Sequence, residues 1–592
     1  MSRVSDRKAD SVAARRGLWL VLILIVVAVL TSAAGLAFVY TFVGGPRPIP
    51  SNATLVLRLS ADLPEHQPSG LPAFWREQPT LNGLIGALRR AKSDRRIKGV
   101  VVSSAGAAAL WGKTQELRDA LLDFRRSGKP LVAHLEYAGN QEYYLASACD
   151  RVYLMPSGTL DLAGLASYEL FLRGTLDKLG IYPDLVHIGD YKTAVNTFTE
   201  EGFTPAHREM ATSLNADAFR ELVRGIAASR KKSEAEVRAL VNGGPMLPED
   251  ALEHGLVDGL AYLDQVGAKS GIGESSQLLD VGDYIAVDDH RLGHTRGSRV
   301  ALIYAVGTIT PGRSGDSWQG GYVGADTLNE YIREVRKDRS IEAVVLRIDS
   351  PGGSSIASDA IWRELMLTRD VKPIIVSMSD LAASGGYYIA MPAHVIVAQP
   401  GTLTGSIGIF GGKFVTAGLM SKLGARVDSV AEGRFAEMGS PARRFTPDER
   451  AKLEEHMQAF YDQFVEKVAQ ARRRTPDQID ALAQGRVWTG RQAKDLGLVD
   501  ELGGLPRAIA IARKRANISD DAPVELVTYP PRKGFFEWLA DPLSAAEEGR
   551  SLLLEAMATP NERRALAAVQ TPLSLLRLGD PLALMPYVFV RP

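Results

Sequence analysis

Two stretches of the chain are versions of one segment. Ala138–Gly164 reads AGNQEYYLASACDRVYLMPSGTLDLAG, and Ala382–Gly408 reads AASGGYYIAMPAHVIVAQPGTLTGSIG. The tyrosine pairs Tyr143/Tyr144 and Tyr387/Tyr388 set the register at 387 − 143 = 244. Whatever unit this sequence folds into, the chain must hold it twice. The chemistry-bearing groups are divided between the copies. Ser384 faces Asn140, and Lys192, in a downstream match of LGIYPDLVHIGDYKTA with LGARVDSVAEGRFAEM, faces Ala436. A serine kept in one copy and a lysine kept in the other suggest one site built from both.

The duplication runs well beyond these segments. ATLVLRLS at 53–60 parallels RVALIYAVG at 299–307, and LNGLIGALRRAKSDRRIKGVVV at 81–102 parallels LNEYIREVRKDRSIEAVVL at 328–346. The second pair predicts a helix with apolar residues three and four apart, followed by a β-branched strand. KPLVAHLE parallels KPIIVSMS, and HGLVDGL at 254–260 parallels LGLVDEL at 496–502. Strand–helix–strand units with buried apolar strands predict an α/β fold with parallel sheets packed by helices. One such domain is expected at 51–287 and a second at 298–527, joined by the polar link 288–297. The last segment, 528–592, has no repeat partner; it is expected to pack on the second domain, with a role the residues do not reveal. GRSGDSWQGGYVG at 312–324 suits either a mobile lid or a plain surface loop.

The first residues are of another kind. Gly17–Val43 carries no charge over 27 residues. As a helix it would span roughly 40 Å, enough for a hydrocarbon core of about 30 Å. Arg3, Arg7, Lys8, Arg15 and Arg16 precede it against Asp6 and Asp10, so 1–16 is expected to stay cytoplasmic and everything after Val43 to lie outside. A cleaved signal peptide is the rival reading. The length of the stretch and the want of a clear small-x-small site favour an uncleaved anchor, followed by the stalk GGPRPIP. The composition of the whole 592-residue chain is ordinary: 45% apolar, 23% charged and no net charge, which gives no bulk electrostatic reason to bind nucleic acid. The single cysteine, Cys149, excludes an intrachain disulfide and a multi-cysteine metal site, and its apolar setting predicts a buried thiol.

Three stretches carry chemistry. In RIDSPGGSSIASDAIWREL, 347–365, a strand ends near Asp349 and a helix begins near Ser354; Gly352 and Gly353 permit close backbone approach. Their N–H groups would lie at a helix N-terminus, where developing negative charge is stabilised. The first copy, SSAGAAALWGKT, lacks Pro-Gly-Gly, so the fold alone does not require that turn. In DLAASGGYYIA, Ser384 sits between a strand and a helix, with the Gly385 N–H beside it. It could act as a helix N-cap, but Asn140 would cap equally well. A serine nucleophile needs a base, and the nine histidines show no triad spacing. Lys192 suits better, flanked by Tyr191, Ala194, Val195 and Phe198, since desolvation of an amine favours its neutral form. A solvated surface lysine is the structural alternative.

With these motifs together, GDYKTAVNTFTEEGFTPAHRE, SDLAASGGYYIAMPAHVIVAQPGTLTGSIGIFGG and SPGG, the chain resembles the signal peptide peptidases of the long, duplicated type (protease IV, the SppA family), within the ClpP/crotonase fold superfamily. The resemblance implies a tandem duplication of a ClpP/crotonase-like α/β domain behind one transmembrane helix. It implies Ser384 as nucleophile, Lys192 as general base, an oxyanion hole from the N–H groups of Gly353 and Gly385, and Ser406 as the hydroxyl that orients the lysine. It implies no metal and no cofactor, cleaved signal peptides as substrates, a homotetramer, and catalytic domains on the extracytoplasmic side of a bacterial inner membrane. The alternative is a crotonase-like acyl-CoA enzyme, since SPGG and GLVD also resemble elements of that superfamily; an external location and a Ser/Lys pair argue against it. A third reading, an inactive scaffold, conflicts with the presence of both Ser384 and Lys192.

Overall fold

The computed structural model describes residues 19, 23–32, 34–35, 49–59, 63–66, 79–104, 110–273, 276–285, 297–317, 320–531, 575–576, 581–586 and 589–590. The chain divides into two compact units, 1–49 and 50–592. In the first, residues 23–32 are helical and their apolar side chains are exposed. Among the described residues no helix is long and apolar enough to cross a membrane; much of the expected anchor at 17–43 lies outside them, as does nearly all of the link 288–297.

The second unit holds three large sheets. One is six-stranded and parallel, in the order Gly259–Leu260, Arg151–Leu160, Leu131–Ala138, Ile97–Ser104, Ala53–Leu59, Gln277–Asp280. A second repeats this plan from the other half of the sequence. Its central strands Leu403–Gly405, Ile374–Ala383, Ile341–Ser350, Ser298–Val306 and Val524–Tyr529 are parallel, and Val487–Thr489 joins antiparallel at one end. Both faces of this sheet are covered, which is why its strands read as continuous apolar runs. Val300, Leu302, Val345 and Ile375 pack with helix Leu505–Arg515. Their sequence neighbours Ala301, Ile303, Val344 and Val376 point the other way, into the larger core with helices Ala325–Lys337 and Ser355–Arg369.

The duplication persists in local detail. Helices Pro205–Arg230 and Pro447–Arg472 are both 26 residues long. Each starts on a threonine N-cap followed by proline, a preferred entry, and each ends on a left-handed cap, Lys231 or Arg473. Tyr143 donates its hydroxyl hydrogen to the Leu256 carbonyl, and Tyr387 does the same to Leu498. The GLVD segments thus anchor the buried tyrosine of each copy, a structural duty that any member of the fold can share.

The third sheet was not expected. It runs Gly315–Ser317, Gly320–Gly324, Thr308–Thr310, Gly352–Ser354, Leu582–Leu584, Ile409–Val415, Tyr182–Ile188. Strands from both halves and from the last segment share it. GRSGDSWQGGYVG therefore contributes two strands rather than only a loop. The halves are also bolted by buried charge. Arg347 makes a bidentate pair with Glu65 at 2.8 and 2.9 Å and reaches Glu116 at 2.8 Å. Burial pushes the Glu65 carboxyl up, but Arg347 and Lys113 outweigh it and hold the pKa down at about 2.

Candidate active site

The strand Tyr182–Ile188 of the first half pairs antiparallel with Ile409–Val415 of the second, from Ile188↔Ile409 to Tyr182↔Val415. This pairing delivers Lys192, four residues past the strand, to the second half. Tyr191 N donates to the Gln484 carbonyl at 2.8 Å, fixing the chain as it turns. Two glycines make room. A Cβ on Gly485, whose φ is +79°, would lie 2.5 Å from Lys192 Cα, and one on Gly408 would lie 3.2 Å from Lys192 Cδ. Gly408 belongs to the TGSIG motif; Gly485, in AQGRVW, carried no sequence signal.

Ser384 ends the strand Ile374–Ala383 and precedes the short helix Gly385–Ala390. Its φ is +56° and ψ −113°, a sparsely populated conformation for a residue with a Cβ. Its hydroxyl makes no N-cap hydrogen bond, so capping does not explain the serine. Lys192 Nζ instead donates to Ser384 Oγ at 2.8 Å, and to the Ser406 carbonyl and Oγ at 3.1 Å each. All three residues are 0% exposed. Burial alone, with no compensating anion, pushes the Lys192 amine well below the usual lysine range. The surface-lysine alternative is thereby excluded. None of the described histidines hydrogen bonds to Ser384.

The repeat partners do other work. Asn140 opens helix Asn140–Ala146 with an ordinary backbone, and its amide ties to Gly164 at 3.1 and 3.2 Å. Ala436 is exposed.

Gly352–Ser354 forms a short strand leading into helix Ser355–Arg369, rather than the plain turn expected. Gly352 and Gly353 both have positive φ, +104° and +154°. Gly385 packs against them: a Cβ on it would sit 3.1 Å from Gly352 Cα and from Gly353 N. The backbone N–H groups of Gly353 and Gly385 therefore neighbour one another at the turn that holds Ser384. All five residues singled out in the sequence, Ser384, Lys192, Gly353, Gly385 and Ser406, meet at one place.

A buried serine hydrogen-bonded to a desolvated amine, beside two backbone N–H groups in an α/β fold, is an arrangement suited to the chemistry of a Ser/Lys serine hydrolase. The model of peptidase family S49 matches residues 123–273 and again 366–519, once in each half. The chain belongs to this family and is a serine peptidase. It is 38% identical over 446 residues to the chloroplastic serine protease SPPA of Arabidopsis thaliana, covering 74% of this chain and 66% of that protein. It is 36% identical over 456 residues to Protease 4 of Salmonella typhi, covering 75% and 73%, and 32% identical over 487 residues to Protease 4 of Haemophilus influenzae, covering 78% and 76%. Among solved structures, the 1510-N membrane-bound stomatin-specific protease aligns at 17% identity and a TM-score of 0.26, over 42% of this chain and 98% of that one, a likeness too slight to bear on mechanism.

Proposed function

We propose that the chain is an endopeptidase that degrades cleaved signal peptides, with Ser384 as nucleophile and Lys192 as general base. The observation that carries the chemistry is the 2.8 Å hydrogen bond between a buried, uncompensated Lys192 amine and Ser384 Oγ. The neutral amine removes the Ser384 proton as Oγ attacks the scissile carbonyl. The N–H groups of Gly353 and Gly385 receive the developing oxyanion, and Ser406 holds the amine in line. The C–N bond then breaks, and the ammonium of Lys192 returns its proton to the leaving amine. Water, deprotonated by the same amine, attacks the acyl-enzyme, releases a carboxylic acid product and regenerates Ser384. No cofactor enters these steps.

The substrate reading is supported by a relative in Enterococcus faecium named putative signal peptide peptidase SppA and by the apolar residues around the site. An anchor at 17–43, catalytic residues outside a bacterial inner membrane, a homotetramer, and the division into a first ClpP/crotonase-like domain at 51–287 and a second at 298–527 complete the proposal. The acyl-CoA alternative loses one of its two motifs, since GLVD serves the buried tyrosines. Labelling with a fluorophosphonate, followed by peptide mapping, tests the assignment. Modification of Ser384 together with cleavage of an apolar peptide is expected; a label elsewhere, or turnover of a CoA thioester in place of the peptide, would overturn it.

A further inference from the structure

The segment Pro581–Pro586, PLALMP, lies where a peptide would have to lie. Its strand Leu582–Leu584 is inserted between Gly352–Ser354 and Ile409–Val415, antiparallel to both. The pairing is Gly352↔Leu584, Gly353↔Ala583 and Ser354↔Leu582. It continues past the strand ends, with Met585 N donating to the Pro351 carbonyl at 2.9 Å and Ser355 N to the Pro581 carbonyl at 3.3 Å. Side chains alternate as on any strand. Leu582 and Leu584 enter an apolar pocket with Leu185, Ala194, Val195, Phe198 and Phe410, beside the lysine turn. Met585 enters a second pocket with Met210, Leu214, Ala383 and Val487, beside the serine. Between them, the Ala583 carbonyl oxygen and Gly385 N border the same side of Gly352, where a Cβ would meet both.

An extended strand against the Gly-Gly edge, with its Ala583 carbonyl oxygen on the side of Gly352 that also borders Gly385 N and its side chains in alternate apolar pockets, is the arrangement by which a peptide adds to a sheet edge. It excludes a second strand from the same edge. We propose that Pro581–Pro586 is an internal pseudosubstrate that fills the peptide channel and must leave before a substrate enters. The inference rests on the peptidase assignment above. It also defines the channel's preference: a small residue where Ala583 sits, and bulky apolar residues at the flanking positions held by Leu582, Leu584 and Met585.

The test uses the full chain. In the double variant Leu582→Asp/Leu584→Asp, the rate of fluorophosphonate labelling of Ser384 and kcat/KM for an apolar peptide ester are expected to rise by roughly tenfold or more, because the binding-competent fraction increases. A synthetic peptide of residues 580–587 should then inhibit the variant competitively. Rates that fall or stay level in a variant with an unchanged circular dichroism spectrum would overturn the proposal. Should the variant not fold, hydrogen exchange on the unaltered chain decides. Reaction of Ser384 with an apolar peptide boronate is expected to strip protection from the amides of Ala583–Met585. Retained protection with Ser384 modified would sink the pseudosubstrate and leave the peptidase standing. Failure to modify Ser384 in every form would remove both.

Discussion

At the scale of the residue, the site concentrates two unfavourable terms in one place. Ser384 holds a left-handed φ, whereas its partner Asn140 is absent from the positive-φ residues; such strain costs about 1–3 kcal/mol. Ser384→Gly should therefore be inactive yet more stable than Ser384→Ala by about 1 kcal/mol, read by denaturant unfolding; equal stabilities would show the turn is unstrained. Lys192 is the second term. Its folded pKa lies well below the unfolded value of about 10.4, so the unfolded chain binds more protons between the two values, and stability rises with pH across that window. Activity should rise with pH through the lower of them, since only the neutral amine accepts the serine proton. Lys192→Met should abolish cleavage and raise the melting temperature at neutral pH, with the gain shrinking as pH climbs. A pH profile set by a histidine would refute the assignment. Ser384→Ala and Lys192→Ala should each abolish turnover, and the double variant should be no worse, because the two act as a unit.

Elements decide whether those residues meet. Lys192 reaches Ser384 because Tyr182–Ile188 pairs with Ile409–Val415 and because Gly485 presents no Cβ to the lysine backbone. Gly485→Ala would add a strained φ and an overlap, so kcat should fall by about 10²-fold, as for a misplacement of about 1 Å, while the protein still folds; unchanged kcat would show that the glycine does not position the lysine. Much of this was legible. The parallel strands and the helices between them announced themselves through apolar runs and repeated periodicity, and the Ser384/Asn140 and Lys192/Ala436 mismatches singled out the two residues that the fold brings within hydrogen-bonding distance. The third sheet was not legible, because five of its seven strands have five residues or fewer, several of those are rich in glycine, and the strands pair between distant stretches. Residues 582–584 lie in the last segment, which has no repeat partner to reveal its place, and nothing local tells a strand of three residues which edge it will join. Gly485 was missed for a related reason, since a glycine needed for a tertiary approach looks like any turn glycine.

For the whole molecule, the seam between halves is held by a buried cluster. Arg347 is 0% exposed and serves both Glu65 and Glu116. Removing it would leave two buried carboxylates facing each other, so Arg347→Met should destabilise by about 3–5 kcal/mol; unfolding within about 1 kcal/mol of the parent would mean that water already reaches the cluster. Neither half expressed alone should cleave peptide, since each carries one member of the dyad; a second half, folded and pure, that matched the whole would refute a site shared between halves. The division also fixes a stoichiometry. Two like halves would ordinarily offer two equivalents of reactive serine per chain, but Asn140 occupies the first of those positions. Active-site titration should therefore saturate at one equivalent per chain, with a single burst amplitude and no half-of-sites behaviour within a chain. In inheritance, the two copies have become mutually dependent: neither can be deleted, and neither can take up a second specificity without the other's consent.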